Sequence, residues 1–327
     1  RAVRYNDIMT PETPMMNRHN KDTAHRAWIM RRLRAWFDTN RRDLPWRREP
    51  RDPYHVLVAE VMLQQTQVWR VEPVFERFVA QFPTLEALAR APQAAVIIAW
   101  QGLGYNRRAV NLLRCATLIV ERYGGFMPDD PQTLRTLPGI GDYTASAVCA
   151  FAFGKDIAVV DVNVHRVLSR VWVPQATEAD LLPRQQVQAL ARSLLPRGGG
   201  RWWNEALMDL GSLLCRRRQP RCTDCPLRVR CASAGTMAPP PQQRRTEPTY
   251  RGIPRRLWRG RLIAILRQQS PRLVADCADA LFATPTAGDQ RWLHALLRQL
   301  ARDGLVVVTG ETVALPGTEF AVGTYRQ

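Results

Sequence analysis

The stretch from Leu134 to Arg170 constrains the fold most, because two helical segments in it are joined by a very short turn. An amphipathic run ends at Leu137, and a second helix is predicted from Asp142 to about Phe153. The turn consists of Pro138, Gly139, Ile140 and Gly141. Its glycines let the backbone bend and approach a ligand, and the amide groups that open the second helix carry partial positive charge. The pattern predicts a helix-hairpin-helix that binds a phosphate group; a simple tight turn is the alternative.

A single carboxylate follows this hairpin. Asp161 stands after the apolar residues AVV and directly before a helix predicted over Asn163–Trp172. Aspartate at such a boundary is a common N-cap, which is one interpretation of this residue. The amide dipoles that it caps also keep the carboxylate ionised, as a group that stabilises a cation must be. The two roles are compatible, so Asp161 is a catalytic candidate.

Both parts of this stretch resemble the helix-hairpin-helix DNA glycosylases, and within them the MutY-type adenine glycosylases. The resemblance rests on LPGIGDYTA, residues 137–145, and VDVNVHRV, residues 160–167, and it covers about residues 28–235. It implies an all-α fold with a six-helix barrel and a lobe that carries an iron-sulfur cluster. It also implies that a base is flipped out of the duplex, and that Asp161 and Asn163 belong to the catalytic site.

A second carboxylate lies in an apolar helix. Asp52 and Pro53 are a good helix start for the run YHVLVAEVMLQQTQV. Glu60 stands among apolar residues of this run, so its carboxyl group is expected to be poorly solvated, with a raised pKa that suits a general acid. An ion pair with an arginine is the alternative. In the family pattern E-x-M-L-Q-Q-T-Q-V, all of whose letters are present, this glutamate protonates the departing adenine.

Two groups of residues are candidates for contact with DNA. A polar run beyond the acid can read base edges or fill the gap left by a flipped base, although a polar helix end is equally compatible with it. The run consists of Gln64, Gln65, Thr66 and Gln67. A second, glycine-containing turn suits the DNA backbone and contains Gly102, Leu103, Gly104, Tyr105 and Arg107. At the position of Asn106 the family usually has a second aromatic residue, which is thought to wedge into the duplex. Because this chain lacks that aromatic residue, the sequence does not predict which base stands opposite the excised one.

Tyr143 bears on the type of reaction. Related enzymes that also cut the DNA backbone carry a lysine at this place, which forms a Schiff base with the sugar. Of the 47 basic residues here, only Lys21 and Lys155 are lysines. We therefore expect a monofunctional enzyme without lyase activity, in which Tyr143 bonds to Asp161 or the sugar; an ordinary core tyrosine is the alternative.

Four cysteines form the second strong pattern. Cys215, Cys222, Cys225 and Cys231 have the spacing C-x6-C-x2-C-x5-C. Four thiolates this close bind metal in a reducing cell, either as a zinc site or as an iron-sulfur cluster; disulfides are the alternative for a secreted protein. The resemblance to MutY-type enzymes favours a [4Fe-4S] cluster. The surrounding arginines indicate that the cluster would shape a phosphate-binding surface.

The composition changes after Cys231. Proline-rich residues around 238–241 indicate a linker. Helices are then predicted over Leu257–Gln268, Arg272–Leu281 and Asp289–Arg302, followed by a strand pair around Thr309–Thr312. In MutY-type enzymes a Nudix-like domain that recognises 8-oxoguanine usually follows, and its pattern is not found here. The sequence predicts a small winged-helix-like α+β domain instead, rich in arginine and expected to contact DNA; a protein-binding winged helix is the alternative.

These observations give an expected domain organisation. It comprises a poorly ordered N-terminus over 1–24, an iron-sulfur lobe from 25–52 with 165–235, a six-helix barrel over 53–164, a linker over 236–254 and a winged-helix-like basic domain over 255–327. The net charge of +18 and the isoelectric point near 10.8 indicate a polyanionic partner. We expect double-stranded DNA with a mismatched or damaged base, bound by a monomer. The absence of a long apolar run or signal peptide favours a soluble protein of the cytoplasm, at the nucleoid.

The sequence therefore predicts a monofunctional DNA glycosylase of base excision repair. It would hydrolyse the N-glycosidic bond of a flipped adenine mispaired with guanine or 8-oxoguanine. Removal of thymine or uracil opposite guanine is an alternative, since related mismatch glycosylases share Tyr143 and Asp161. A catalytically idle mismatch-binding protein on the same scaffold is another.

Overall fold

The structure, a computed structural model, describes residues 15–174, 181–236 and 247–318. The described chain is mostly helical. Its helices are α1 (Met15–Asn40), α2 (Pro53–Leu63), α3 (Val68–Gln81), α4 (Leu85–Ala89), α5 (Gln93–Ala99), α6 (Arg107–Tyr123), α7 (Pro131–Arg135), α8 (Asp142–Phe151), α9 (Val162–Trp172), α10 (Arg184–Leu194), α11 (Gly200–Leu213), α12 (Arg255–Gln268), α13 (Val274–Leu281) and α14 (Ala287–Arg302). No helix in these three ranges is long and apolar enough to cross a membrane.

Short strands are found only near the C-terminal end of the described residues. They are β1 (Thr249–Tyr250), β2 (Ile253–Pro254), β3 (Arg272–Leu273), β4 (Val307–Thr309) and β5 (Thr312–Ala314). The first two form an antiparallel pair, and the others form a sheet in the order β3-β5-β4. Three helices, a separate strand pair and a three-stranded sheet make up the region for which the sequence predicted a winged-helix-like α+β domain. We call residues 247–318 the C-terminal module.

The chain divides into two compact units, each of which is assembled from two separate segments. Unit 1 contains residues 1–43 and 154–242, and unit 2 contains residues 44–153 and 243–327. These boundaries differ from the expected ones, since 44–52 belong to unit 2 and 154–164 to unit 1. The C-terminal module, expected to be a separate domain, belongs to unit 2.

Two segments expected to lack regular structure lie partly outside the described residues. Of the N-terminus expected to be poorly ordered over 1–24, residues 1–14 lie outside them, and α1 begins at Met15; the poor order stays a prediction. Proline interrupts helices, and after Pro14 no proline follows until the helix has ended, so α1 extends beyond its apolar stripe. The expected linker over 236–254 contains the β1–β2 pair at its C-terminal end, while 237–246 lie outside the described residues.

In unit 2 the C-terminal module shares a hydrophobic core with helices that lie far away in sequence. Ala94 and Ile97 of α5 and Val110 of α6 are buried in one cluster with apolar residues of α12, α13 and α14. The Ala94 amide donates to the Pro316 carbonyl at 3.1 Å. The module is therefore a structural part of unit 2.

Candidate active site

The helix-hairpin-helix lies in unit 2 and consists of α7, the turn 136–141 and α8. Gly139 has φ +79°, and a Cβ atom there would lie 2.8 Å from the Cβ of Asn111, so both its conformation and its surroundings require glycine. Ile140 is buried and anchors the turn. Gly141, the N-cap of α8, has no side chain that could cap this helix, and the amide groups at a helix N-terminus are the part of such a hairpin that an anion approaches.

The candidate general acid lies on α2. Asp52 caps this helix by accepting from the Tyr54 amide at 2.8 Å, and Pro53 occupies its first position. Nearly every residue of α2 is buried, and Glu60 is only 5% exposed. Burial of a carboxyl group favours its protonated form, which a general acid needs.

Helix α2 packs against α8, the second helix of the hairpin. The Gln64 side chain, at the C-terminal end of α2, donates from Nε2 to Thr144 Oγ1 at 3.3 Å. Tyr143, the neighbour of Thr144, is half-buried in the first turn of α8. The candidate acid, the start of the polar run and Tyr143 are thus carried by two adjacent helices.

Arg108, which the sequence grouped with Arg107 as an arginine suited to the DNA backbone, is buried and instead holds the two candidate DNA-contacting segments together. Its guanidinium group donates to the carbonyl oxygens of Val61, Met62, Gln64, Leu103 and Gly104 and to Thr66 Oγ1. Burial lowers the pKa of Arg108 to about 10, so the group remains charged at neutral pH. Its position four residues before the buried Leu112 places it on the inward face of α6, which is the signal that could have revealed it.

The second turn, residues 102–106, is held in a strained conformation. Gly102, Gly104 and Tyr105 have φ of +97°, +68° and +44°. The Trp100 indole donates to the Gly104 carbonyl at 3.2 Å. The Tyr105 ring is 57% exposed, and the Arg108 guanidinium lies 5.5 Å from its centroid. Non-glycine residues with positive φ persist only where the surroundings enforce them, and they often mark functional sites.

The polar run, residues 64–67, also contains a non-glycine residue with positive φ. Gln65 has φ +57° and, like Gln67, is exposed. Arg70 in the first turn of α3 donates to the Gly102 carbonyl, which joins the end of the run to the second turn. Unit 2 therefore presents both candidate DNA-contacting segments in fixed conformations.

The candidate cation stabiliser lies in unit 1. Asp161 Oδ1 accepts from the amides of Asn163 at 2.9 Å and Val164 at 2.7 Å, so the carboxylate is the N-cap of α9. The Asn163 side chain donates from Nδ2 to Asp161 Oδ2 at 2.8 Å. A Cβ atom at Gly211 of α11 would lie 2.7 Å from the Asn163 Cβ, so the two helices approach closely here. These bonds fix the orientation of a half-buried carboxylate.

The four cysteines of unit 1 line one cavity. Cys222 begins and Cys231 follows short 3-10 turns. Arg170 lies at the cavity and donates to the Arg216 carbonyl at 2.8 Å, which holds the cysteine loop against α9. Burial raises the pKa of Cys225 to about 12 and that of Cys231 to about 11, so free thiols here are protonated and unreactive.

The chemistry of this donor set is that of a metal site. Four cysteines line one cavity, and thiolates bind zinc or iron-sulfur clusters. Within the ranges that the structure describes, no three His, Cys, Asp or Glu side chains converge closely enough to hold a metal ion.

The candidate residues are thus divided between the units. Unit 2 carries Glu60, Tyr143, the polar run, the second turn and the hairpin, whereas unit 1 carries Asp161, Asn163 and the cysteines. Each group is held by contacts within its own unit.

Residues 58–196 match the model of the HhH-GPD superfamily of base excision DNA repair proteins. The adenine DNA glycosylase of Mycolicibacterium smegmatis is 41% identical over 284 residues, which cover 85% of this chain and 92% of that protein. The human adenine DNA glycosylase is 40% identical over 219 residues, 64% of this chain and 40% of that protein. The chain belongs to the adenine DNA glycosylase family.

Solved structures agree on the fold. A thermostable thymine-DNA glycosylase superposes with a TM-score of 0.59 at 31% identity, covering 64% of this chain and 97% of that one. Endonuclease III trapped covalently on DNA superposes with a TM-score of 0.55 at 23% identity, covering 64% of this chain and 94% of that one, and shows the fold alone.

Proposed function

We propose that this protein is a monofunctional adenine DNA glycosylase of base excision repair. It would hydrolyse the N-glycosidic bond of adenine mispaired with guanine or 8-oxoguanine. The observation that carries the proposal is the buried Glu60 in α2, within the pattern E-x-M-L-Q-Q-T-Q-V, in a chain 41% identical to an adenine DNA glycosylase.

The two carboxyl groups have different roles because their environments differ. The buried Glu60 carboxyl donates its proton to a ring nitrogen of the flipped adenine, and the N-glycosidic bond breaks with its electron pair leaving on the base. The capped Asp161 carboxylate stabilises the cation that develops on the sugar, and Asn163 keeps it oriented. Water then adds to the sugar carbon and gives its proton to the Glu60 carboxylate that the first step left, which restores the acid. This is the division of roles between two carboxyl groups that glycosidases use.

The product is an abasic site in an unbroken strand. A lyase step needs an amine that forms a Schiff base with the sugar, and Tyr143 cannot provide one. Its hydroxyl group would instead bond to the sugar of the flipped nucleotide. The enzyme therefore releases the base without cutting the DNA backbone.

DNA binding would use backbone amides and arginines. The amide groups at the N-terminus of α8 bind a phosphate of the DNA backbone, as amide groups at other helix N-termini do. The polar run, residues 64–67, and the second turn contact the bases around the flipped nucleotide. The net charge of +18 adds affinity that does not depend on sequence. We propose that the protein acts as a monomer on chromosomal DNA, in the cytoplasm at the nucleoid.

Cys215, Cys222, Cys225 and Cys231 would hold a [4Fe-4S] cluster. When bound, the cluster supplies structural order to the loop rather than chemistry at the glycosidic bond. Six arginines of this loop are exposed, so an ordered loop presents them to phosphate groups; they are Arg216, Arg217, Arg218, Arg221, Arg228 and Arg230.

A panel of duplexes tests the proposal. Adenine, thymine or uracil is placed opposite guanine, 8-oxoguanine or cytosine, and base release and strand cleavage are measured in single turnovers. We expect adenine release opposite guanine and 8-oxoguanine, with strand breaks only after alkali. Release of thymine or uracil would instead identify a thymine or uracil glycosylase, and mismatch binding without any base release would identify an idle mismatch-binding protein.

A further inference from the structure

The C-terminal module touches unit 2 directly beside the second turn. Arg267, near the end of α12, donates from Nη2 to the Ile97 carbonyl at 2.8 Å and to Asn106 Oδ1 at 3.2 Å. Its Nε atom also donates to the Ile97 carbonyl at 3.2 Å. Burial lowers the pKa of Arg267, as expected for a guanidinium group enclosed between packed elements. One half-buried side chain of the module therefore bonds to both α5 and the turn.

Asn106 bonds to a side chain from another segment, although an asparagine at the start of a helix usually bonds to that helix. Asn106 is the N-cap of α6, and an asparagine there normally accepts from the amides of its own helix. Here the Asn106 backbone has helical dihedral angles, φ −57° and ψ −19°, and its side chain makes no such bond; Oδ1 accepts from Arg267 instead. The turn is thereby fixed from outside its own helix.

A second contact lies next to the first. Arg107 Nη1 is 3.7 Å from Asp303 Oδ1, at the C-terminal end of α14. Gln93 Nε2 donates to the carbonyl of Gly304, the next residue. The module therefore contacts the last residue of the turn, the first residue of α6 and the start of α5, over a shared hydrophobic core.

Three other arginines of the module form ion pairs with carboxylates of the module itself. Arg256 pairs with Glu247 at 2.7 Å, Arg259 with Asp303 at 2.6 Å, and Arg251 bonds to Asp289. These pairs leave fewer arginines for phosphate groups than the sequence indicates. The contacts therefore favour a role in which the module fixes the conformation of the second turn over a role in which its arginines only bind DNA phosphates.

We propose that the C-terminal module positions the second turn for mismatch recognition, with Arg267 as the positioning residue. Arg267 holds Asn106 away from the duplex, which leaves Tyr105, 57% exposed and held over Arg108, as the side chain that the turn presents to DNA. The inference rests on the proposed function, because it assigns the turn a part in recognising the mismatch.

Three variants of the full chain test this role. Arg267→Gln removes the charged donor, and Asn106→Ala removes the acceptor without altering the shared core. Arg256→Gln is the matched control, since it makes the same change on the same helix but breaks only the pair with Glu247. Two quantities are measured: hydrogen exchange of the amides of residues 101–107, and affinity for a matched duplex and for a guanine mismatch with 2′-fluoro-2′-deoxyadenosine, which resists hydrolysis.

We expect both Arg267→Gln and Asn106→Ala to speed exchange in 101–107 and to lower the preference for the mismatch about tenfold, the size of one charged hydrogen bond. Affinity for matched DNA should stay within about twofold. The double variant should be no worse than Arg267→Gln alone, because both changes break the same bond. Arg256→Gln should match the parent protein in both measurements.

Unchanged exchange in 101–107, or equal losses on matched and mismatched DNA, would overturn the proposal. If Arg267→Gln fails to fold, Asn106→Ala still decides the question. The exchange measurement needs no catalysis, so it distinguishes a failure of this inference from an absence of adenine release in the parent protein.

Discussion

The Arg166 guanidinium donates a hydrogen bond of 2.7 Å from Nη2 to Oδ1 of Asn163, the residue that orients Asp161. The same Nη2 donates to the Gly211 carbonyl at 2.8 Å, and Nε donates to the Cys215 carbonyl at 2.7 Å. The backbone of a proposed cluster ligand, Cys215, and the proposed cation stabiliser, Asp161, are therefore joined through the side chains of Arg166 and Asn163. The conformation of the cysteine loop and the orientation of the Asp161 carboxylate therefore depend on each other.

Replacing Arg166 by glutamine should slow base release more than it weakens binding. The change removes a charged donor and leaves buried acceptors without it, which loosens Asn163 and hence Asp161. We expect the single-turnover rate at saturating enzyme to fall about tenfold or more, with mismatch affinity within about threefold. Arg184→Gln, on the exposed surface of α10, is the control. An unchanged rate in Arg166→Gln would show that Asp161 does not need this support.

Replacing Glu60 by glutamine should abolish adenine release and preserve mismatch binding. Glutamine has nearly the same shape but no acidic proton, so the base would have to leave without protonation. We expect a loss of at least about a hundredfold in the single-turnover rate. Glu76→Gln, an exposed change on α3, provides the comparison. If Glu60→Gln released adenine at the parental rate, another group would be the acid.

The two glycines of the hairpin should respond differently to alanine. Gly139→Ala introduces a Cβ atom 2.8 Å from the Asn111 Cβ at φ +79°, whereas a Cβ atom at Gly141 has no neighbour within 4 Å and φ there is −97°. We expect Gly139→Ala to lower affinity for matched and mismatched duplexes alike by about tenfold, and Gly141→Ala to change it by about twofold or less. Titrations at two salt concentrations measure both. Equal behaviour of the two variants would remove the hairpin from the DNA interface.

Protein prepared without oxygen should be brown and contain about four irons per chain. Iron analysis and the visible spectrum measure this directly. Cys222→Ser removes one ligand and should lower DNA affinity or folding yield, because the arginine-rich loop loses its order. Cys115→Ser, a change at a buried cysteine of unit 2, should retain the full iron content. Stoichiometric zinc in the protein would contradict the cluster assignment.

Asp289 should make the stability of the C-terminal module depend on pH. Hydrogen bonds from Thr286 and Tyr250 hold the pKa of Asp289 well below its usual value. A carboxyl group with a lowered folded pKa stabilises the protein above its unfolded pKa of about 3.9 and loses this effect as the pH falls further. Asp289→Asn should therefore lower the melting temperature at pH 7, with a smaller difference at pH 3. Asp276→Asn, an exposed change on α13, should show no such dependence.

Local sequence predicted the elements that carry the candidate site. Asp52 and Pro53 begin α2, Asp161 caps α9, and Gly139 of PGIG bends the hairpin, because caps and turns depend on residues close in sequence. The burial of Glu60 also followed from the apolar residues around it. The assignment of these residues to catalysis stays a prediction that the variants above test.

Long-range contacts could not be predicted in the same way. The bonds of Arg108 join segments more than 40 residues apart, and those of Arg267 join residues 161 and 170 positions apart. Strand β3 was expected to be part of a helix, but Arg272 and Leu273 pair with Val313 and Thr312. No local pattern encodes such partners, since propensity is a weak prior that tertiary packing overrides.

The interleaving of the two units has a consequence for synthesis of the protein. Residues 1–43 leave the ribosome long before residues 154–242, which complete unit 1, have been made. Residues 44–153 likewise leave it before the C-terminal module, which completes unit 2. Until then the apolar side chains of Ile97 and Val110 lack their final neighbours. A chain ended prematurely near residue 236 would keep every candidate catalytic residue and still expose an apolar face. Nascent chains of this kind are open to aggregation or capture by chaperones until the last helices are made.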